Sequence, residues 1–217
     1  VFYFPKFFHP DPTVLRQSGF LTPSINHSDI LGSSFTLPYF YEISESKDFT
    51  IKPSWFDSDI LSFQNEYRKI NKNSELIADF GLVKGFKSSS SNKRKNLNHF
   101  FINYNHDLKL DKFVSSNLSV NLEKTNNDTY LKIFDPHITQ SAIRPESFNT
   151  LKNNLEINLN HNDYNFTTGI IAYEDLQIVK KSDRYQYVLP YYNFNKILDT
   201  NFLNGSWNFS SSGDNNL

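Results

Sequence analysis

Several kinds of residue are rare or absent in this chain. It has no cysteine and no methionine, and only seven of its 217 residues are glycine. The lack of cysteine excludes a disulfide within these residues, and the scarcity of glycine argues against a glycine-rich loop that cradles phosphate groups. Neither charge is in excess, with 22 lysines and arginines against 23 aspartates and glutamates. The charge balance therefore gives no reason to expect nucleic acid as a partner.

Long apolar runs are missing as well. The sequence has no run of about 18 apolar residues, which is the length that a membrane-spanning helix needs. A β-barrel is not excluded by this test, because every second residue of its strands is polar. Aromatic residues are abundant, with 21 phenylalanines and 12 tyrosines. They suit the aromatic girdles of a membrane barrel, and the base composition of an AT-rich genome is the alternative explanation.

Polar and apolar residues alternate along several segments, most regularly at residues 151–160. The apolar set is Leu151, Leu155, Ile157 and Leu159, and the polar set is Lys152, Asn154, Glu156 and Asn158. Side chains on a strand point alternately to its two faces, so each such segment has one apolar and one polar face. We predict that the apolar set faces lipid and that the polar set faces the lumen of a barrel.

The same pattern predicts an all-β fold, an antiparallel meander that forms part of a transmembrane outer-membrane β-barrel. The predicted strands are residues 35–43, 49–55, 61–67, 76–82, 100–104, 114–122, 151–159, 164–172, 185–191 and about 202–209. Short polar turns join most of them, but the connections at 84–96 and 126–149 are long, and residues 128–134 are compatible with one helical turn. The chain is interpreted as a fragment, since it begins and ends within strand-like sequence.

Three parts are predicted along the chain. Residues 1–8 are aromatic and end in prolines, which suits the last strand of a preceding β-jelly-roll. Residues 9–32 are punctuated by proline and glycine and are predicted to form an irregular hinge without a long strand. Residues 33–217 then form the first strands of the barrel.

Two prolines fall inside the first two predicted barrel strands. Pro38 and Pro53 each lack the amide donor that a central strand needs. One interpretation is an ordinary sheet edge or bulge. The functional alternative is a seam that is weak enough for strands to separate, a proposed lateral gate.

No pattern supports catalysis or a bound cofactor. The histidines and aspartates lie mostly in turn-like sequence without the spacing of metal ligands, so no metal site is predicted. No nucleophile–base arrangement, phosphate-binding loop or pair of carboxylates stands out. The basic residues 93–95 are interpreted as a solvated loop, with lipid headgroups or phosphates as the alternative ligand. The chain is therefore not expected to be an enzyme.

The order of several short motifs resembles the LptD (OstA/Imp) family of LPS-assembly outer-membrane proteins. The matching segments are residues 1–5 (VFYFP), 15–23 (LRQSGFLTP), 37–41 (LPYFY), 48–53 (DFTIKP) and 65–68 (NEYR). Within the second of these, the motif residues are Arg16, Ser18, Gly19, Phe20 and Pro23. Weaker matches follow in order at 105–107, 127–131, 175–177 and 187–191, with Asn127 in place of the usual serine.

This resemblance implies a periplasmic jelly-roll that hands lipopolysaccharide (LPS) to a large barrel in the cell outer membrane. The implied partners are LPS, the plug lipoprotein LptE, the periplasmic Lpt bridge components and outer-membrane lipid. The family's lateral gate owes its weakness to prolines in the first two barrel strands, which correspond here to Pro38 and Pro53. No disulfide is carried over, and the resemblance implies translocation without covalent chemistry.

Two other functions remain open on the sequence alone. A passive porin or receptor-type barrel would share the alternation, although such barrels begin directly with barrel strands. A soluble β-sandwich or adhesin module would bury the apolar face inward. The side of the membrane on which the loops lie is also open. With a periplasmic N-terminus, both long connections fall on the periplasmic side, against the general rule that long loops face outward. Either a strand is miscounted or the barrel is an exception.

Overall fold

The structure is a computed structural model that describes residues 16–88, 93–138, 141–200 and 205–217. It confirms the predicted all-β fold, because the thirteen described strands form one antiparallel sheet. Among the described residues, no helix is long and apolar enough to span a membrane. The segment predicted to end a jelly-roll, residues 1–8, lies outside the described residues.

The strands are longer than the alternation alone predicted. They are β1 Gly19–Phe20, β2 Ser24–Ser28, β3 Gly32–Thr36, β4 Tyr39–Ser44, β5 Lys47–Phe56, β6 Leu61–Asn71, β7 Ser74–Lys87, β8 Arg94–Asp107, β9 Ser115–Thr125, β10 Thr150–Asn160, β11 Tyr164–Asp175, β12 Tyr185–Thr200 and β13 Gly205–Asn216. Two short helices, α1 Tyr130–Ile133 and α2 Asp135–Ile138, lie between β9 and β10, and a 3-10 turn spans Lys181–Asp183. The helical turn expected within residues 128–134 therefore forms and is followed by a second one.

From β4 onward, each strand pairs with the next along the chain, as in a meander. The order is β1-β4-β5-β6-β7-β8-β9-β10-β11-β12-β13, while β3 pairs with β2 and β5. Strand direction reverses at each step, so the β7–β8 and β9–β10 connections lie at the end of the sheet where the chain enters β3. The structure also includes β1 and β2, which the sequence count lacked and which run antiparallel to β4 and β3. Residues 16–18 therefore lie beside the β4–β5 turn, at the opposite end of the sheet from these two connections. The side of the membrane stays a prediction.

The first predicted barrel strand, residues 35–43, is interrupted. Thr36 of β3 lies opposite Ser54 of β5, and Tyr39 of β4 lies opposite Ile51, which is the same register continued. The break between β3 and β4 falls at residues 37–38. β3 and β4 therefore behave as one strand with a proline defect.

The predicted hinge, residues 9–32, is described only from residue 16. It is less irregular than predicted, because β2 is a five-residue strand that forms a hairpin with β3. Gly32 begins β3 with a positive φ of 81°, at a place where a β-carbon would collide with the Asp57 side chain. Glycine is required there, and the boundary between hinge and barrel stays a prediction.

The sheet has two chemically different faces, which the pairing register defines. The "apolar face" carries a row of exposed large side chains: Phe35, Trp55, Phe63, Leu82, Phe100, Leu122, Leu155 and Ile170. The "polar face" carries, at the alternate positions, Thr36, Ser54, Gln64, Asp79, His99, Asn121 and Asn154. Such a difference is expected when one face meets lipid and the other water.

A small apolar core lies where the β9–β10 connection folds back against the polar face. Its largest fully buried members are Tyr130, Phe101, Phe134, Leu31, Leu131, Ile138, Leu151 and Val83. The prediction that Leu151 belongs to an outward row with Leu155 is wrong, because Leu151 is 0% exposed whereas Leu155 is 39% exposed. Leu151 begins the strand beside the folded connection, and the core covers it.

Candidate functional site: the polar face and the proline-interrupted edge

The middle of the polar face is lined with side-chain amides. Asn103 of β8 lies opposite Asn121 of β9, which lies opposite Asn154 of β10. A second row places Asn117 opposite Asn158. An amide both donates and accepts hydrogen bonds and carries no charge. This "amide strip", Asn103, Asn117, Asn121, Asn154 and Asn158, offers donors and acceptors to hydroxyl-rich groups, and Asn121 and Asn158 already donate to Glu123 and Glu156.

Two neighbouring cavities open along the amide strip. The first, of about 460 Å³, lies between the strip and residues 142–147 of the β9–β10 connection. The second, of about 610 Å³, lies near the β6–β7 turn and is bordered by Asn117 and Asn158. Ser119 borders both, so the two cavities are adjacent. Together they extend along the polar face toward both ends of the strands.

The four residues predicted to face a lumen all lie on the polar face. Lys152 and Asn154 border the first cavity, and Asn158 borders the second. Glu156 accepts hydrogen bonds from the Tyr191 hydroxyl and from Asn158 Nδ2. The structure thus places these four residues together on one face of the sheet. The assignment of this face to a barrel lumen stays a prediction.

The two prolines lie on neighbouring segments near the first edge of the sheet. Pro53 is inside β5, whereas Pro38 lies in the break between β3 and β4 and not inside a strand. The Leu37 amide donates to the Pro53 carbonyl over 3.2 Å, and the Leu21 amide donates to the Pro38 carbonyl over 2.9 Å. In each pair the reciprocal bond is impossible, because proline has no N–H.

The N–H groups that Pro38 and Pro53 lack would both point away from β6. The N–H and C=O of a strand residue point to the same side, so Pro53 would donate toward Leu37 and Pro38 toward Leu21. Both vacancies therefore face the edge and not β6. The "proline-interrupted edge", comprising β3, β4 and their contacts with β5 and residues 19–21, is short of two ladder hydrogen bonds.

The motif residues of the connector attach to this same edge. Gly19 and Phe20 form β1 and pair with Phe40 and Tyr39 of β4. The Ser18 hydroxyl accepts a hydrogen bond from the Glu42 amide over 2.8 Å. Pro23 lies between β1 and β2. Sequence order alone gave no indication that the connector would lie beside β4.

A buried carboxylate holds Arg16. Arg16 Nη2 lies 3.1 Å from Asp48 Oδ2, and Arg68 Nε lies 2.8 Å from Asp48 Oδ1. Only 4% of the Asp48 side chain is exposed. Asp48 therefore links the connector to β6 through two guanidinium groups, a role that its place in an alternating strand did not reveal.

A buried hydrogen-bond chain fixes the β9–β10 connection to the polar face. The Tyr130 hydroxyl lies 2.7 Å from His99 Nδ1, and His99 Nε2 lies 3.0 Å from Asp79 Oδ1. Gln64 Nε2 donates to the same hydroxyl over 3.2 Å. Burial raises the pKa of the Tyr130 phenol, so the hydroxyl stays protonated. When Asp79 accepts a hydrogen bond from His99 Nε2–H, the Tyr130 hydroxyl can donate a hydrogen bond to His99 Nδ1.

Gly81 leaves the space that this chain occupies. A β-carbon at position 81 would meet His99 and would lie 2.8 Å from the Tyr130 hydroxyl. We expect Gly81→Ala to lower the stability of the folded full-length protein by about 1–3 kcal/mol, the usual cost of overpacking. Heat-dependent gel mobility of the folded form measures this. Gly19→Ala is the control, since nothing lies within 4 Å of a β-carbon there. Equal stability of the two variants would contradict the packing described.

The comparisons with known proteins point to one group. No family model matches this sequence. Curated relatives include a protein of Cupriavidus necator, 29% identical over 131 residues, which are 59% of this chain. Proteins of Ectopseudomonas mendocina and Yersinia enterocolitica are 35% identical over 75 residues and 40% identical over 53, which are 35% and 24% of this chain. All three are named LPS-assembly protein LptD.

The chain is LptD-like in sequence. It spans only a small part of those relatives: 15% of the Cupriavidus protein, 8% of the Ectopseudomonas protein and 7% of the Yersinia protein. Within the described residues, no group of three histidines, aspartates or glutamates is placed to hold a metal ion. The main features of the described residues are the two faces of the sheet and its proline-interrupted edge.

Proposed function

We propose that this chain forms part of the wall of an outer-membrane barrel that inserts LPS into the outer leaflet. The similarity to proteins named LPS-assembly protein LptD carries the proposal. The N-terminal part would be periplasmic, and the partners would be LPS, a plug lipoprotein of the LptE type and the periplasmic Lpt bridge. The chemistry is binding and gating, without a covalent step.

The two faces of the sheet support this role. LPS combines acyl chains, which are costly to expose to water, with a saccharide head, which is costly to place in hydrocarbon. The apolar face would meet the bilayer, and the amide strip would bind saccharide hydroxyls on the way to the surface. The amides would hold sugars through many weak hydrogen bonds and release them readily. Charged side chains, Glu123, Arg144, Glu146 and Lys152, line the same cavity.

The proline-interrupted edge supports the last step. Each ladder hydrogen bond contributes roughly 1 kcal/mol, and two donors are missing on the side of the sheet that faces away from β6. An edge weakened in this way can bend from its neighbour, so that a lipid leaves the lumen sideways. Pro38 and Pro53 are the proposed gate residues.

The amide strip is tested by replacing Asn103 and Asn154 with leucine in the full-length protein. Loss of about two hydrogen bonds to saccharide, roughly 1 kcal/mol each, predicts surface delivery slowed roughly thirtyfold for LPS with its full saccharide. Delivery of an LPS truncated to its lipid and innermost sugars should change little. Labelled LPS on the cell surface is measured against the amount of folded barrel. Asn208→Leu is the control, because Asn208 lies on β13, far from both cavities along the strand order.

Other results would decide against the proposal. If the unaltered full-length protein conducts small solutes but delivers no LPS in reconstituted vesicles, a passive porin is the better description. If the leucine variants slow both forms of LPS equally, the strip does not bind the saccharide.

A further inference from the structure

The β9–β10 connection extends much farther than joining its two strands requires. It leaves β9 at Thr125, yet the His137 ring of α2 packs against Phe56 at the end of β5, with centroids 4.9 Å apart. Between these points the Phe134 ring packs against Phe86 of β7 at 6.2 Å. The segment therefore crosses the polar face from β9 back to the strand that carries Pro53.

Its contacts with β6, β7 and β8 are buried. Tyr130 binds Gln64 of β6 and His99 of β8, and His99 in turn binds Asp79 of β7. Tyr130 is 0% exposed and His99 is 2% exposed. A buried chain of this kind is costly to break, since each separated group would be left without a partner away from water.

Its contact with the first edge is different. A small cavity of about 90 Å³ separates Pro136 and His137 from Pro38, and it is bordered mainly by polar side chains such as Ser24, Asn26 and Thr36. A polar gap of this size can hold water. The part of the edge around Pro38 therefore meets α2 across a polar gap, whereas the start of β3 is held by Leu31, which is fully buried in the core.

The start of the segment is also held. Arg184, in the β11–β12 connection, lies 2.6 Å from Asp128 and 2.8 Å from Glu174. Lys124 of β9 reaches the same Glu174 over 2.7 Å. The segment is thus anchored beside β9 and β11 at one end and against β5 at the other.

We propose that residues 126–138 act as an internal brace, in which Tyr130 is the main positioning residue. The brace fixes β5, β6, β7 and β8 as one rigid unit and leaves the edge from Thr36 through β4 as the part that moves. One consequence rests on the proposed function: strand separation during lipid release is confined to the proline-interrupted edge. The wall beside the amide strip then keeps its shape while the edge opens.

The test is hydrogen–deuterium exchange of the full-length protein in lipid nanodiscs. Tyr130→Phe removes only the hydroxyl, so Gln64 and His99 lose a buried hydrogen-bond partner. Amides of β6, β7 and β8 should then exchange about tenfold faster, while those of β12 are unchanged. Tyr104→Phe is the matched control, because Tyr104 lies on β8 but on the apolar face. Unchanged exchange in a folded Tyr130→Phe protein would overturn the proposal.

A second variant avoids the buried chain, in case Tyr130→Phe assembles poorly. His137→Ala removes the ring that packs against Phe56, so exchange should rise in β5 and stay unchanged in β8. A rise confined to β3 and β4 would overturn the brace. Exchange is measured without LPS, so it tests the brace even if the unaltered protein delivers no LPS. A failure of the unaltered protein to deliver LPS would refute only the proposed function.

Discussion

Arginine at position 157 is expected to prevent most of the full-length protein from assembling in the membrane. Ile157 lies in the middle of β10, opposite Leu118 of β9 and Thr168 of β11 on the apolar face. A charge on the lipid side of a barrel costs about 2–4 kcal/mol near the bilayer midplane. The folded fraction in outer-membrane preparations, measured by heat-dependent gel mobility, should therefore fall sharply for Ile157→Arg.

The control is an arginine on the other face of the same strand. Asn154 borders a water-accessible cavity, so Asn154→Arg should assemble nearly as well as the unaltered protein. Glu156 is less suitable than the alternation suggested, since its carboxylate accepts hydrogen bonds from Tyr191 and Asn158. Equal assembly of the two arginine variants would show that the apolar face does not meet lipid.

Restoring both missing amide donors should slow LPS delivery. In the double variant Pro38→Ala, Pro53→Ala, the new N–H groups face Leu21 and Leu37, whose amides already donate across the same pairs. Two added hydrogen bonds stabilise the closed edge by about 2 kcal/mol. If opening of this edge limits delivery, the rate falls roughly thirtyfold. Surface LPS is measured together with the amount of folded barrel.

The control for this pair is Pro23→Ala. Pro23 lies between β1 and β2, outside every strand of the sheet, so its replacement should leave delivery unchanged. Full delivery by the double variant, with a normal amount of barrel, would leave Pro38 and Pro53 as ordinary edge residues. Slower delivery by Pro23→Ala as well would point to the flexibility of the connector.

The strands were predictable because one local property determines them. Alternation with a period of two places Leu155 and Asn154 on opposite faces whatever lies elsewhere in the chain. The same logic failed at Leu151, because a segment distant in space covers it. Local pattern also could not show that Pro38 would break one strand into β3 and β4 while the register against β5 continued.

The parts of the candidate site that sequence reasoning missed depend on long-range contacts. Gln64, Asp79, His99 and Tyr130 are each unremarkable in their own segments, and Tyr130 lies 66 residues from Gln64. Arg16 and Asp48 likewise meet only because the connector lies along β4. The one available signal was Gly81, a glycine inside a long strand, which often marks a close approach by another group.

The most direct test of the proposed function places a photoreactive residue at position 154 or at position 155 of the full-length protein in living cells. These neighbours lie on the polar and the apolar face, and Asn154 belongs to the amide strip and lines the first cavity. LPS should cross-link at position 154 only while new LPS is being supplied, whereas any adduct at position 155, which faces the bilayer, should not depend on that supply. Absence of an LPS adduct at position 154, or an adduct there that does not depend on the supply of new LPS, would contradict the account.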